Sequence, residues 1–304
     1  MKKRNKGVII IFVLIFTTAI SVMAILLSVR AKQYLSLFSG VQKDMEMENI
    51  AEMGVEMGKV LLDIAQKKHM ISEEPGYIKR QYEIGGTKIE VVIEDENGKI
   101  NPNRIFGSEE GEVHTHLLET YKRFFSVMGY PENLPDALLD WIDKDDIPRM
   151  TGAESTFYRT SGFSYMPANG PIYNPEEMLL VAGFTKDIVF GDADKKGLIN
   201  FITAFSDGKI NVNTCQPEVL NALGFSVADV EKITAERARR PIEEKFLLEV
   251  NREAYLKNRD IIVFKSSYFT ISGCVTDEDG AQKEIKAYVK RDDKTMETIR
   301  MDIR

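Results

Sequence analysis

The sequence has 304 residues, 43% hydrophobic and 29% charged, a globular composition that excludes a disordered or fibrous chain. Its net charge is −7, but the first thirty residues hold five basic and no acidic side chains, leaving −12 on the remainder. So acidic a body disfavours nucleic-acid binding by bulk charge, and two cysteines exclude a disulfide framework or cysteine zinc cluster.

Val8–Val29 runs twenty-two positions without a charge. As a helix it would be about 33 Å long, enough to cross a bilayer. Lys2, Lys3, Arg4 and Lys6 precede it, which predicts a cytoplasmic N-terminus and a body on the far side of the membrane. No small-residue cleavage site follows the apolar run, so a plain uncleaved signal anchor is one reading. The junction Lys6-Gly7-Val8-Ile9-Ile10 supports another. A basic stretch ending in glycine against an apolar run resembles the leader of type IV pilins and type II secretion pseudopilins. That resemblance implies cutting after Gly7 by a prepilin peptidase and methylation of Val8 as the new N-terminus.

The helical pattern continues past the span. Tyr34, Phe38, Val41 and Met45 step by 4, 3, 4; Ile50, Met53, Met57, Leu61 and Ile64 step by 3, 4, 4, 3, and no proline occurs before Pro75. This predicts one helix from Val8 to Lys68 whose second half packs on a globular domain through that stripe, the methionines included. Most pilins carry a glutamate at the fifth mature position, pairing with a neighbour's N-terminal amine. Here the position is Phe12. An unpaired carboxylate in lipid is costly, so a subunit with no neighbour ahead of it is better without one, as at a filament tip.

Gln81–Ile84 and Thr87–Ile93 alternate in hydrophobicity around Gly85-Gly86, a hairpin signal. Ser267–Val275, Lys283–Lys290 and Met296–Ile303 read as further strands. About 160 residues of mostly helical pattern lie between, predicting one small sheet split by a large insertion. Leu117–Met128, Leu134–Ile142, Pro175–Gly183, Pro217–Leu223 and Ser226–Arg239 are its expected helices, the third N-capped by Asn174 and the last by Ser226. Gly98-Lys99-Ile100-Asn101-Pro102-Asn103 recurs as Gly208-Lys209-Ile210-Asn211-Val212-Asn213, and asparagine-backbone bonding makes each copy a structural stop.

Asp140-Trp141-Ile142-Asp143-Lys144-Asp145-Asp146 places four carboxylates where a helix breaks before Pro148. Clustered hard oxygens suit Ca²⁺, although the glycine and glutamate of an EF-hand are missing. Two readings stand for this stretch: a solvated acidic loop, and a cation that clamps the long irregular segment 150–175 through Asp143, Asp145 and Glu154.

The segment Asp140 to Arg149, followed by Gly152-Ala153-Glu154 and Pro167-Ala168-Asn169-Gly170-Pro171, resembles the general secretion pathway protein K family, the large minor pseudopilins of type II secretion. Asn211-Val212-Asn213-Thr214, the Pro175–Gly183 helix, the Tyr268-Phe269 strand and Phe12 match as well. The resemblance implies an α+β fold: a pilin-like transmembrane helix packed on a small antiparallel sheet, with an inserted helical domain of two SAM-like, helix-hairpin-helix-like halves. The implied boundaries are leader 1–7, span 8–29, sheet domain 30–103 and 259–304, and insertion 104–258. Also implied are calcium in the insertion, with Asp143, Asp145 and Glu154 as ligands and Asp140 behind them. Implied partners are minor pseudopilins I and J, the prepilin peptidase and the inner-membrane assembly platform. The implied location is the inner membrane with a periplasmic body, where the chain initiates and caps a pseudopilus without catalysis. Cys215 reads as small-hydrophobe packing; a bond to Cys274 is chemically allowed in the periplasm.

A rival reading is a membrane-anchored DNA-uptake module. Asn211-Val212-Asn213-Thr214 and two short helices resemble a helix-hairpin-helix, but its turn, Leu223-Gly224-Phe225-Ser226, has one glycine, and Glu243 and Glu244 follow the nearby arginines. An enzyme is disfavoured: His114-x-His116 lacks a third ligand, and no G-x-S-x-G, P-loop or H-E-x-x-H occurs.

Overall fold

The structure, a computed structural model, describes residues 6–67, 76–107, 112–292 and 295–304. Helix α1 (Lys6–Lys67) is unbroken for 62 residues. Its first part is long and apolar enough to cross a membrane, and side chains 8–46 are exposed. Met1–Asn5 of the expected leader lie outside the described residues.

Strands β1 (Tyr77–Ile84) and β2 (Thr87–Asp95) form the expected hairpin. Gly85 and Gly86 both take positive φ, 58° and 83°, the conformation that a two-residue turn between right-twisted strands demands. The chain then enters the insertion: α2 (Thr115–Val127), α3 (Asn133–Ile142), α4 (Ser155–Thr160), α5 (Lys186–Phe190), β3 (Ile210–Asn211), α6 (Pro217–Ala222), α7 (Val227–Arg237), α8 (Glu244–Lys257) and β4 (Ile262–Val263). It returns as β5 (Tyr268–Thr276), β6 (Gln282–Arg291) and β7 (Met296–Ile303). The sheet order is β1-β2-β5-β6-β7, antiparallel throughout, so β2 and β5 pair across the insertion.

The contact of α1 with the sheet corrects one expectation. Its buried face is Met47, Ala51, Gly54, Val55, Gly58, Leu62 and Ala65. Met53 and Ile64 of the expected stripe are exposed, and Ile50, Met57 and Leu61 only half-buried. Small residues win because they let helix and sheet approach closely: a Cβ on Gly58 would stand 2.3 Å from the Ile271 side chain. Ile93, Ile271, Ile285, Ala287 and Val289 complete this core.

The insertion has its own core, reaching from Ile100 and Ile105 to Ile261 and Ile262. The repeated motif performs the same job twice. Asn101 and Asn211 each accept a bond from the backbone N–H two residues on, at 3.1 and 2.9 Å. Asn103 then clamps the backbone of Ile172, and Asn213 that of Ile242, each through both ends of its amide. Ile100 bridges Ile202 and Ile210 pairs with Ile262, both in parallel. Asn97 ties entry to exit, accepting from the Ser267 and Tyr268 amides.

Pro175–Leu180 is a 3₁₀ helix, not the expected α-helix, although its Asn174–Glu177 capping box is present. Val181 turns extended at its end, and burial of Met178 and Val181 in the core sets that geometry over helical continuation. Helices α4 and α8 are not among the expected helices; α8 places Leu247, Val250 and Ala254 at helical spacing and is broken at Asn251, whose backbone is non-helical.

Candidate metal centre

Helix α3 is amphipathic, and Leu134, Ala137, Leu138 and Trp141 anchor it in the insertion core. That orientation buries Asp140 completely, and Asp143 follows as an extended C-cap. The chain loops out through exposed 144–148 and returns so that buried Glu154 N-caps α4. One ligand atom from each of Asp140, Asp143 and Glu154 lies within 4.8 Å of the others. A residue far along the loop is thus brought to two on the helix.

The electrostatics of this trio are unbalanced. Among the described residues Arg149 is the cation that faces it, donating from Nη1 to Asp140 Oδ1 at 2.6 Å and to Asp143 Oδ2, while its backbone N–H bonds Asp140 Oδ2 at 3.1 Å. Neither oxygen of Glu154, nor Oδ1 of Asp143, accepts from a donor among the described residues, and the Asp146 carboxyl approaches Glu154. Burial, then the charges of Asp140 and Asp143, push the Glu154 carboxyl up to about 8. Burial also raises Asp143, against the lowering effect of Arg149. Three buried acids against one guanidinium leave carboxyl oxygens without donors, and ionising all three there is costly without a further cation. Hard carboxylate oxygens so placed fit Ca²⁺. Gly152 makes room: a Cβ there would stand 1.9 Å from Asp140 Oδ2.

Asp145 lies apart from the trio. It is exposed, its Oδ1 accepts from the Ile147 N–H at 2.9 Å, and its carbonyl accepts from Asn169 Nδ2 at 3.1 Å. Asp146 accepts from the Ser155 N–H at the start of α4. Arg149 and Gly152 are the parts of the site that residue-type reasoning passes over, because a counter-ion and a void are defined only by the fold. Val8 and Phe12 stand exposed on α1, which also contains Gly7.

Cys215 is buried in the insertion core and Cys274 is on β5; both thiols are free. His116 Nδ1 meets Asp260 at 2.8 Å on the surface. At the turn before α7, Asp229 Oδ2 accepts from both the N–H and the hydroxyl of Ser226.

Residues 98–190 match the family model of Type II secretion system (T2SS), protein K. Type II secretion system protein K of Pseudomonas aeruginosa is 29% identical over 168 residues, 53% of this chain and 47% of that protein. The chain thus aligns with about half the length of that relative. The Klebsiella pneumoniae protein of the same name is 23% identical over 232 residues, covering 72% and 69%. A chain in the crystal structure of the GspK-GspI-GspJ complex from the enterotoxigenic Escherichia coli type 2 secretion system superposes with a TM-score of 0.61. It covers 86% of this chain and 99% of its own, at 16% identity, which speaks to fold alone. The resemblance to protein K read from the sequence holds, as does the α+β fold class.

Proposed function

We propose that this chain is a minor pseudopilin of type II secretion that sits at the pseudopilus tip, where it initiates and caps assembly for export across the outer membrane. The observation that carries this reading is the division of α1. Side chains 8–42 are exposed, Lys43 and Asp44 form surface ion pairs with Asp277, Asp279 and Lys283 beside the β5–β6 turn, and its last twenty residues pack on a five-stranded sheet. A helix so divided is built to lie in a membrane and then among other helices. Phe12 leaves no carboxylate in lipid seeking a partner above. The bulky insertion between β2 and β5 then blocks addition of a further subunit.

The likeness to a chain of the GspK-GspI-GspJ complex supports minor pseudopilins I and J as partners, and the prepilin peptidase and the inner-membrane platform would act on the N-terminal segment. Its basic residues favour a cytoplasmic N-terminus in the inner membrane and a periplasmic body. No catalytic step is assigned. Asp140, Asp143 and Glu154 would hold a structural Ca²⁺, which supplies the positive charge that Arg149 alone does not. Arg149 orients the two aspartates, and the fold of the 144–154 loop brings Glu154 to them.

Photo-crosslinking in membranes tests the assignment. A crosslinker at exposed Met53 on α1 should capture pseudopilin I or J, and one at Met150 on the insertion should capture no pseudopilin. Equal capture of the major subunit at Met150 would place the chain inside the filament instead.

A further inference from the structure

The segment from Asn169 to Glu176 has no regular structure in its first half, yet it is fastened at three places to three different parts of the molecule. At its near end, Asn169 Nδ2 donates to the Asp145 carbonyl at 3.1 Å, and the Gly170 N–H to the Trp141 carbonyl at 3.4 Å. Both acceptors lie on the stretch that carries Asp140 and Asp143. In the middle, both polar groups of the Ile172 backbone are held by the Asn103 amide, at 2.9 and 2.8 Å. At the far end, Arg300 of β7 donates from Nη1 to the Tyr173 carbonyl at 3.2 Å, and Arg304 Nη1 pairs with Glu176 Oε1 at 3.2 Å.

Arg300 is not a loose surface side chain. Asp302 fixes its guanidinium through two bonds of 2.7 Å. It lies 5.5 Å from the ring of Tyr288 on β6 and 5.6 Å from that of Phe205, and those two rings stack at 3.8 Å. Phe205 belongs to the insertion and Tyr288 to the sheet, so this is the seam where the two bodies meet.

The near end carries two marks of a segment set up for something further. Asn169 has φ +46°, the one non-glycine residue with positive φ among those described. Its Oδ1 is buried with no donor to it among the described residues, as are both oxygens of Glu154 and Oδ1 of Asp143. Left-handed backbone in a non-glycine residue is unfavourable and persists where the surroundings impose it.

We propose that residues 169–176 are a strap that couples the carboxylate centre to the seam: a divalent cation at Asp140, Asp143 and Glu154 and the docking of β7 on the insertion strengthen each other. The inference rests on the metal reading above. Cation binding fixes the acidic loop and favours the strap's near end, which has an orphaned acceptor to offer. The strap in turn holds Tyr173 and Glu176 where Arg300 of β7 and Arg304 just after it meet them. Coupling of this kind is reciprocal, so disrupting the far end must weaken binding at the centre.

The experiment uses the full chain in detergent, with Ca²⁺ as the probe. Calorimetric titration gives the affinity, and deuterium uptake reports on 170–176 and on β7 with calcium or chelator. Calcium should slow exchange in both segments. Arg300→Ala, whose side chain touches no carboxylate of the centre, should weaken calcium binding by about fivefold or more. It should also remove the calcium dependence of exchange in β7. Asn169→Ala should remove that dependence from the opposite end, and it decides the matter if Arg300→Ala does not fold. Arg80→Ala on the far edge strand should change neither reading. Unaltered affinity in Arg300→Ala, or β7 exchange indifferent to calcium that does bind, would overturn the strap. No calcium binding by the wild type would overturn the metal reading and the strap with it.

Discussion

Gly273 of β5 lies so close to Ala51 of α1 that a Cβ on it would stand 2.2 Å from the Ala51 carbonyl oxygen. The helix–sheet contact is therefore set by backbone approach, and its tolerance for bulk is low. Gly273→Ala should destabilise the sheet domain by about 2 kcal/mol, within the range for overpacking a tight core. Denaturant unfolding of the detergent-solubilised chain measures it. Met53→Ala, on the exposed face of the same helix, should cost much less, and equal losses would contradict this packing.

The junction of sheet and insertion gives a pH signature. Asp95 is buried at the end of β2, accepting from the Asn97 N–H at 2.9 Å and from the Ser266 hydroxyl. Burial outweighs those bonds and raises its carboxyl from 3.8 to about 6. Between those values the folded chain holds a proton that the unfolded chain has lost, so this group's contribution to stability falls as pH rises. The loss is roughly 3 kcal/mol at most and is complete above about pH 6. Asp95→Asn should flatten the stability profile between pH 4 and 6. A profile of unchanged slope would show that Asp95 does not titrate there.

Calcium should raise the unfolding temperature. At a hundredfold excess over its dissociation constant a ligand of the folded state adds about 2.7 kcal/mol. Glu154→Gln should abolish that rise, because it removes a buried anionic ligand. Asp145→Asn should keep it, because Asp145 is exposed and outside the trio. Calcium titrations followed by thermal unfolding of the three proteins distinguish these outcomes.

How much of this was legible in sequence depended on how local each signal is. The 62-residue α1, the Gly85-Gly86 hairpin and the three C-terminal strands announce themselves through charge-free length, turn glycines and alternation. Which stripe of α1 packs was misread, because periodicity weighs methionine above glycine and alanine, whereas closeness of approach favours the small residues. Helix α4 was hidden in a segment without period, since Tyr158 alone of its six residues is buried. At the centre, Asp140 and Asp143 are neighbours in sequence and could be paired by inspection. Glu154 was reachable as an acid on the long irregular segment 150–175 that a cation would clamp, and the same reasoning drew in Asp145, which the fold leaves exposed. Arg149 as counter-ion and Asn169 as the strap's anchor depend on a loop path that no short-range pattern encodes.

Phe12 bears on placement at the tip. Phe12→Glu puts a carboxylate in the lipid-spanning stretch, at a cost of about 3 kcal/mol when no amine meets it. Secretion by a strain carrying the variant should fall, and pulse-labelling should show slower membrane integration or extraction. Normal secretion and normal integration would remove the argument from Phe12.

The most direct test of the pseudopilin assignment is the intact mass of the protein from membranes, with and without a co-expressed prepilin peptidase. The account predicts loss of Met1–Gly7 and gain of one methyl group on Val8 when the peptidase is present. An unchanged mass beside an active peptidase would contradict it and leave a plain signal anchor.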